Sequence, residues 1–253
     1  MFNIALNTFK EIVRNKFLYL ILFFAFIFIL FSLAMGKLSI GDDNKVIVDF
    51  GLAMIEIFGI VGVLFVGSQL LFREIEGKTI FLILSKPIKR QDFILGKFLG
   101  FSFTILLIVV LQSLLFLGVL LFKNIDITPL IPISLFFTFL KLEILLSLVF
   151  FFSTFMSNIL TILISLMIYV ISHGFSLLLD LFHRMQSTIA AYVIQIFQLL
   201  FPPLEALNTK DIIGSFQSLG FQYIAFNTVY SILYLLIILF CTVLIFERKK
   251  FEE

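Results

Sequence analysis

The charged side chains of this chain concentrate between two long apolar runs, in residues 73–97, REIEGKTIFLILSKPIKRQDFILGK. This segment holds six of the 18 Lys and Arg residues of a chain whose residues are 61% hydrophobic. Its Gly77-Lys78-Thr79 has the residue types that end a phosphate-binding loop, in which backbone N–H groups and the lysine hold phosphates. That loop also needs a buried strand before it and a glycine five positions before Gly77, where Phe72 stands. The segment therefore does not predict a nucleotide site.

The chemistry that fits this segment better is the binding of a protein partner. Residues 74–84 are mostly good helix formers, and Pro87 ends the predicted helix because a proline disfavours the helical conformation in the residue before it. A second helix is expected to begin near Arg90 and to continue into the next apolar run. A short charged helix held between two membrane spans can transmit a push from a bound partner. The residues assigned to this coupling role are Arg73, Glu74, Glu76, Lys78, Thr79, Ser85, Lys86, Pro87 and Arg90.

Two further ionisable residues, Lys141 and Glu143, lie inside an apolar run. Each costs about 2.5–3.5 kcal/mol at the centre of a membrane helix, which makes both candidates for an intramembrane polar site. Two positions apart on a helix, they point about 200° away from each other and cannot form one salt bridge. Glu143 is favoured for a functional role at the bundle interior or a dimer interface. The alternative is a structural glutamate that is hydrogen-bonded to neighbouring helices.

The elements that position these residues are apolar runs long enough to cross a membrane, since about 20 residues span the hydrocarbon core. The runs are 17–35, 52–72, 97–121, 130–152, 157–179 and 224–246. They predict an all-α, polytopic membrane protein with six transmembrane helices and a loop at 36–51. Residues 1–253 form a single transmembrane domain, with no room for an independent soluble domain.

Two flanking regions complete the predicted architecture. Residues 1–16 read as an amphipathic helix in the membrane interface, or alternatively as an extension of the first span. Its apolar face holds Phe2, Leu6, Phe9 and Val13, and its polar face holds Asn3, Asn7, Lys10 and Arg14. Residues 180–223 form an extracytoplasmic region with a short surface or re-entrant helix at about 185–200, which is too short to span.

The distribution of Lys and Arg predicts the orientation of the chain. With the N-terminus in the cytoplasm, 12 of these residues fall on the cytoplasmic side and 5 on the opposite side. Short cytoplasmic loops carry an excess of positive charge. Both termini and the coupling segment, residues 73–93, are therefore expected in the cytoplasm, and the protein is expected in the inner membrane of a bacterium. The alternative left open is that the positive charges of this segment only set the topology.

Catalytic and metal chemistry are not expected. Asp42 and Asp43 lack the further oxygen ligands of a metal cage, and His173 and His183 are too widely spaced for a soft-metal site. An intramembrane enzyme would need convergent polar residues at one depth, and the polar inventory is too sparse for that. No cofactor and no nucleic-acid partner are expected.

The order of these features resembles the permease subunit of type-2 ABC exporters, a broad group that includes nitrous-oxide-reductase maturation and sodium-efflux permeases. The positions that carry the resemblance are Glu74, Lys78-Thr79, Leu84-Ser85-Lys86-Pro87, Arg90 and Gly96-Lys97. Further matches are Glu143 with the Ser-Thr-rich turn after its span, residues 203–208, and the end of the last span at 245–250.

The resemblance implies a transmembrane subunit without its own ATPase site. A separate ABC ATPase would bind the coupling segment, two copies of each subunit would form the exporter, and the surrounding membrane lipids would be its other partners. The exported substrate stays unknown. A scaffold or assembly factor that recruits an ATPase is the alternative, because it would keep the same docking helix.

Overall fold

The computed structural model describes residues 1–38, 42–76, 89–174, 201–202, 204–210, 213 and 219–249. In these residues all regular secondary structure is helical, which confirms the predicted all-α class. Helices are the expected solution because the hydrocarbon core offers no water to backbone N–H and C=O groups, so a spanning segment must pair them internally. The helices are α1 (Phe2–Val13), α2 (Lys16–Leu38), α3 (Asp43–Gly62), a π-helical turn (Val63–Gly67), α4 (Ser68–Glu76), α5 (Arg90–Phe122), α6 (Leu130–Ser153), α7 (Asn158–His173), a 3-10 turn (Glu205–Leu207) and α8 (Phe221–Arg248).

Five helices of the described part are long and apolar enough to cross a membrane. They are α2, α5, α6, α8 and the continuous helix Asp43–Glu74, called span two below, which joins α3, the π-helical turn and α4. The run predicted at 157–179 is represented by α7, whose 16 residues rise about 24 Å, less than the thickness of the hydrocarbon core. Residues 175–200, which include the predicted surface or re-entrant helix, lie outside the described residues. The sixth crossing therefore stays a prediction.

The connection between the first two spans is much shorter than the loop predicted at 36–51, and that prediction was wrong. Helix α2 continues to Leu38, and α3 begins at Asp43 rather than near residue 52. Asp42 caps α3, because its side chain accepts a hydrogen bond from the backbone N–H of Lys45 at 3.3 Å and so satisfies a donor that the helix leaves open. The polar residues that read as a loop form the first turn of a helix.

Helix α6 lies at the centre of the bundle. Its apolar window is 78% buried, against 28% for α2 and for α8, and it contacts α3, α4, α5, α7 and α8. Every residue from 140 to 150 is buried, which includes Lys141 and Glu143. Both predicted polar residues therefore lie inside the protein, where partners can offset the cost of taking a charge out of water.

Helix α1 packs closely against the start of α5. Ala5, Thr8 and Ile12 form its buried face. Two glycines of α5 permit the close approach, since a Cβ at Gly100 would overlap the carbonyl oxygen of Ala5, and one at Gly96 would lie 2.9 Å from the Cβ of Ile4. Small residues four positions apart let helix backbones approach in membranes. Helix α1 is thereby fixed to the third span.

The remaining surface of α1 is divided between apolar and basic residues. Phe2 and Leu6 are 74% and 41% exposed, and Lys10 and Arg14 are exposed on the adjoining side of the helix. Within residues 1–16 the structure has a separate helix over Phe2–Val13, and this helix has a third face that packs on α5. Its position in the membrane interface stays a prediction.

Replacing Gly100 with alanine is expected to destabilise the protein, because the new methyl group meets a backbone carbonyl that cannot rotate away. Overpacking of this kind costs about 1–3 kcal/mol. Gly118→Ala is the matched control, since Gly118 lies in the same helix with nothing within 4 Å of an added Cβ. Thermal unfolding of both variants in one detergent, followed by circular dichroism, makes the comparison. Equal midpoints would show that the close contact between α1 and α5 contributes nothing.

Candidate functional site

The structure describes the two ends of the coupling segment. Arg73 and Glu74 lie near the end of α4, and Arg90 is the first residue of α5, as predicted. Arg73 is exposed and donates to Gln69 Oε1 at 3.1 Å. The side chain of Glu76 lies outside the described residues. The other residues assigned to coupling that lie outside the described residues are Lys78, Thr79, Ser85, Lys86 and Pro87.

A buried lysine joins the two ends of this segment. Lys97 Nζ, on α5, lies 2.5 Å from Glu74 Oε1 on α4 and 3.4 Å from Glu11 Oε2 on α1. The Lys97 side chain is only 6% exposed, so it depends on its carboxylate partners for compensation of its charge. Lys97 thus connects α4 and α5, the two helices that flank the coupling segment, and its contact with Glu11 connects α1 to them. Residues Glu11, Glu74 and Lys97 are called the base cluster below.

Arg90 connects the same region with the end of α8. Its guanidinium donates to the backbone carbonyls of Glu247 at 3.0 Å and Lys249 at 2.9 Å. A cation is favourable there, because the last carbonyls of a helix lack intrahelical partners and carry partial negative charge. Lys249 donates to the carbonyl oxygen of Thr154, beyond the end of α6, at 2.6 Å, and burial lowers the pKa of its ammonium group. The coupling segment is thus tied to the ends of two further spans.

A second buried cluster surrounds Glu56 of α3. Lys141 Nζ, on α6, donates to Glu56 Oε1 at 2.8 Å, and the hydroxyl of Tyr169 on α7 donates to the same oxygen. Lys210 Nζ donates to the other oxygen, Glu56 Oε2. Glu56 is 4% and Lys141 is 1% exposed. These four residues, called the Glu56 cluster, bring together three helices and a segment that follows α7 in the chain.

Residues 204–210, which carry Lys210 to this cluster, are themselves fixed to the bundle. The hydroxyls of Thr209 and Ser134 form a hydrogen bond of 2.5 Å, and Tyr223 on α8 donates to the carbonyl oxygen of Ala206 at 2.7 Å. Leu204 and Leu207 are each 1% exposed. This part of the region predicted at 180–223 therefore folds against the helices, and its lysine reaches a carboxylate within span two.

Lys141 and Glu143, the two residues predicted as an intramembrane polar site, have separate surroundings. Lys141 is bound to Glu56, whereas the carboxyl group of Glu143 lies near the side chain of Ser102 on α5. Glu143 is 4% exposed, and its Oε1 has no hydrogen-bond partner among the residues that the structure describes. The prediction that the two residues do not pair with each other is confirmed.

Sequence reasoning missed Glu56, the centre of the larger cluster. Glu56 lies within the run predicted at 52–72, where a lone carboxylate is itself a sign of a buried partner or a functional site. Lys97 was recognised only as part of a motif, although a lysine at the start of an apolar run also requires a counter-ion. Lys210 gave no signal, because its position next to Glu56 depends on how residues 204–210 fold.

The chemistry available in these clusters is the pairing of charges across helices. In the described part of the chain, no group of three or more His, Cys, Asp or Glu side chains is arranged to hold a metal ion. His173 stacks on Tyr169 with ring centroids 5.8 Å apart, while His183 lies outside the described residues. The two clusters connect helices at two levels of span two, which is a geometry suited to mechanical linkage.

Comparison with protein families agrees with this architecture. The family described as ABC-2 family transporter protein matches residues 2–251. The chain belongs to this family. It is a multi-pass membrane permease component of an ABC transporter, and permeases of this family work with an ABC ATPase partner. Among curated proteins, none matches the chain significantly. The resemblance inferred from the motifs is confirmed at the level of the family.

Replacing Glu56 of the permease with glutamine is expected to destabilise it strongly, because Lys141 and Lys210 then lose their shared carboxylate. Removal of one partner from a buried ion pair costs about 3–5 kcal/mol. Glu143→Gln is the matched control: it removes another buried carboxyl group of similar exposure that no lysine contacts in the described part. Thermal unfolding of both variants in the same detergent compares the losses. Equal losses would contradict the ion-pair account.

Proposed function

We propose that this permease is the transmembrane subunit of an ATP-driven exporter. In this proposal a separate ATPase binds the coupling segment, residues 73–93, and two copies of the permease work with two ATPase subunits. Both termini and the coupling segment lie in the cytoplasm, and the protein resides in a bacterial inner membrane. The observation that carries the proposal is the contact of Lys97 with Glu74, which joins the two helices that bear the coupling segment.

The base cluster makes the two flanking helices respond together. Because Lys97 binds Glu74 across the base of the coupling segment, a force on that segment acts on α4 and α5 at once. Helix α1 follows them, since Glu11 contacts Lys97 and the backbone of α1 lies against Gly100. A bound ATPase therefore moves three helices rather than one flexible loop.

Span two carries such a movement toward the Glu56 cluster. Glu74 and Glu56 lie on the same continuous helix, 18 positions or about 27 Å apart. The π-helical turn Val63–Gly67 lies between them, and turns of this kind are frequent at functional sites and at kinks. A tilt of span two at its cytoplasmic end displaces Glu56 relative to Lys141 and Lys210, which are held by other elements. Export is proposed to use this displacement.

The packing of the bundle supports a second copy of the permease. In the described part, the cavity bounded by Gly59, Phe101 and Leu142 has a volume of only about 10 Å³, and its lining is apolar. This cavity is too small and too apolar to serve as a polar passage through one copy. A passage between two copies is the arrangement that the proposal requires.

Photo-crosslinking in cells tests where the ATPase binds. A photoreactive amino acid at Lys86, inside the coupling segment, is expected to crosslink an ABC ATPase subunit. The same amino acid at Lys45, near the start of α3, is the control and is expected to give no such product, because the proposal puts it on the opposite side of the membrane. Mass spectrometry of the crosslinked product identifies the partner. An ATPase crosslinked from Lys45, or from neither position while it copurifies with the permease, would contradict the proposal.

A further inference from the structure

A groove with a wholly apolar lining lies between α1 and α5. Its volume is about 450 Å³, and it opens toward the outside of the bundle. The residues that form most of its walls are Phe2, Leu6 and Phe9 from α1 and Phe103, Leu106 and Val110 from α5. Because the groove offers no hydrogen-bonding group, an occupant that enters it must be hydrocarbon, since a polar group would lose its partners there.

The groove is bounded by elements that are fixed to each other. The backbone of α1 rests on Gly96 and Gly100, just before the groove-lining part of α5, and Glu11 binds Lys97 in the same region. Helix α1 therefore cannot close the groove by moving onto Phe103 and Val110 without breaking these contacts. The contacts of α1 with Gly96, Gly100 and Lys97 therefore keep the groove open in this structure.

A basic surface of α1 adjoins this groove. Lys10 lies about one helical turn after Leu6, next to the groove, and Arg14 lies one turn after Lys10 on the same side of α1. Both basic side chains are exposed. On the orientation proposed above, these two residues lie at the cytoplasmic leaflet, whose anionic lipids attract Lys and Arg near the surface. Hydrocarbon walls next to two cationic side chains match the two parts of an anionic phospholipid.

We propose that this groove is a binding site for one anionic phospholipid, with an acyl chain along Phe103 and Val110 and the phosphate group at Lys10 and Arg14. A lipid is favoured over a second copy of the permease as the occupant, because apolar walls beside two cationic side chains match a hydrocarbon chain joined to a phosphate group. The bound lipid fills the space under α1 and so supports the contact between α1 and α5.

Native mass spectrometry tests this site with phosphatidylglycerol and phosphatidylcholine added to the purified permease in equal amounts. The wild-type protein is expected to retain one phosphatidylglycerol molecule. Each of the two basic residues should favour phosphatidylglycerol over phosphatidylcholine by about fivefold. Leu107→Trp fills the groove and should abolish the retained lipid, because Leu107 lines this groove and not the neighbouring one between α5 and α6. Leu111→Trp is the matched control, because Leu111 is exposed on the same helix but does not line the groove. Lys10→Gln with Arg14→Gln should remove the preference between the two lipids.

Three results would overturn the proposal. The first is retention of phosphatidylglycerol by Leu107→Trp at the wild-type level, and the second is equal retention of both lipids by the wild-type protein. The third is dissociation of a dimer by Leu107→Trp with no lipid retained in the wild type. A second measurement needs no variant. Phosphatidylglycerol with a photoreactive acyl chain should label α1 and residues 103–110 of the wild-type protein, and unlabelled phosphatidylglycerol should compete better than phosphatidylcholine. Labelling spread evenly over the lipid-facing helices would contradict a defined site.

Discussion

The constraint on which this structure depends is that a charge inside a membrane protein must have a partner. A single ionised side chain at the centre of a span costs about 2.5–3.5 kcal/mol, and leaving one member of a buried pair alone costs more. The Glu56 carboxylate is bound by Lys141, Lys210 and Tyr169, and the Lys97 ammonium group is bound by Glu74 and Glu11. The helices are therefore joined where these charges meet.

Both clusters use span two, and this gives the permease a connection along its length. The base cluster holds the cytoplasmic end of span two in the proposed orientation, and the Glu56 cluster holds it about 27 Å away. The helix between them has no flexible loop, only a π-helical turn. Because a buried charge is costly without its partner, a shift of span two acts directly on the contacts of both clusters.

Much of the fold follows from the sequence, because apolar runs of the required length can satisfy their backbone only as helices. The start of span two was misjudged, since Asp43 and the polar residues after it read as a loop although Asp42 caps a helix there. Of the intramembrane charges, the sequence predicts that Lys141 and Glu143 point apart. It does not predict the partner of Lys141, because Glu56 is 85 positions away and the contact depends on how two helices are rotated in the bundle.

Hydrogen exchange of residues 204–210 in the complex with its ATPase tests most directly whether span two carries motion between the two clusters. When ATP is trapped in the ATPase subunit, hydrogen exchange of residues 204–210 is expected to rise, because displacement of Glu56 releases Lys210. In Lys97→Met, which removes the contact with Glu74, the rise is expected to disappear, while the control Lys45→Met keeps it. Exchange that is the same with and without trapped ATP, or a full rise in Lys97→Met, would contradict the account.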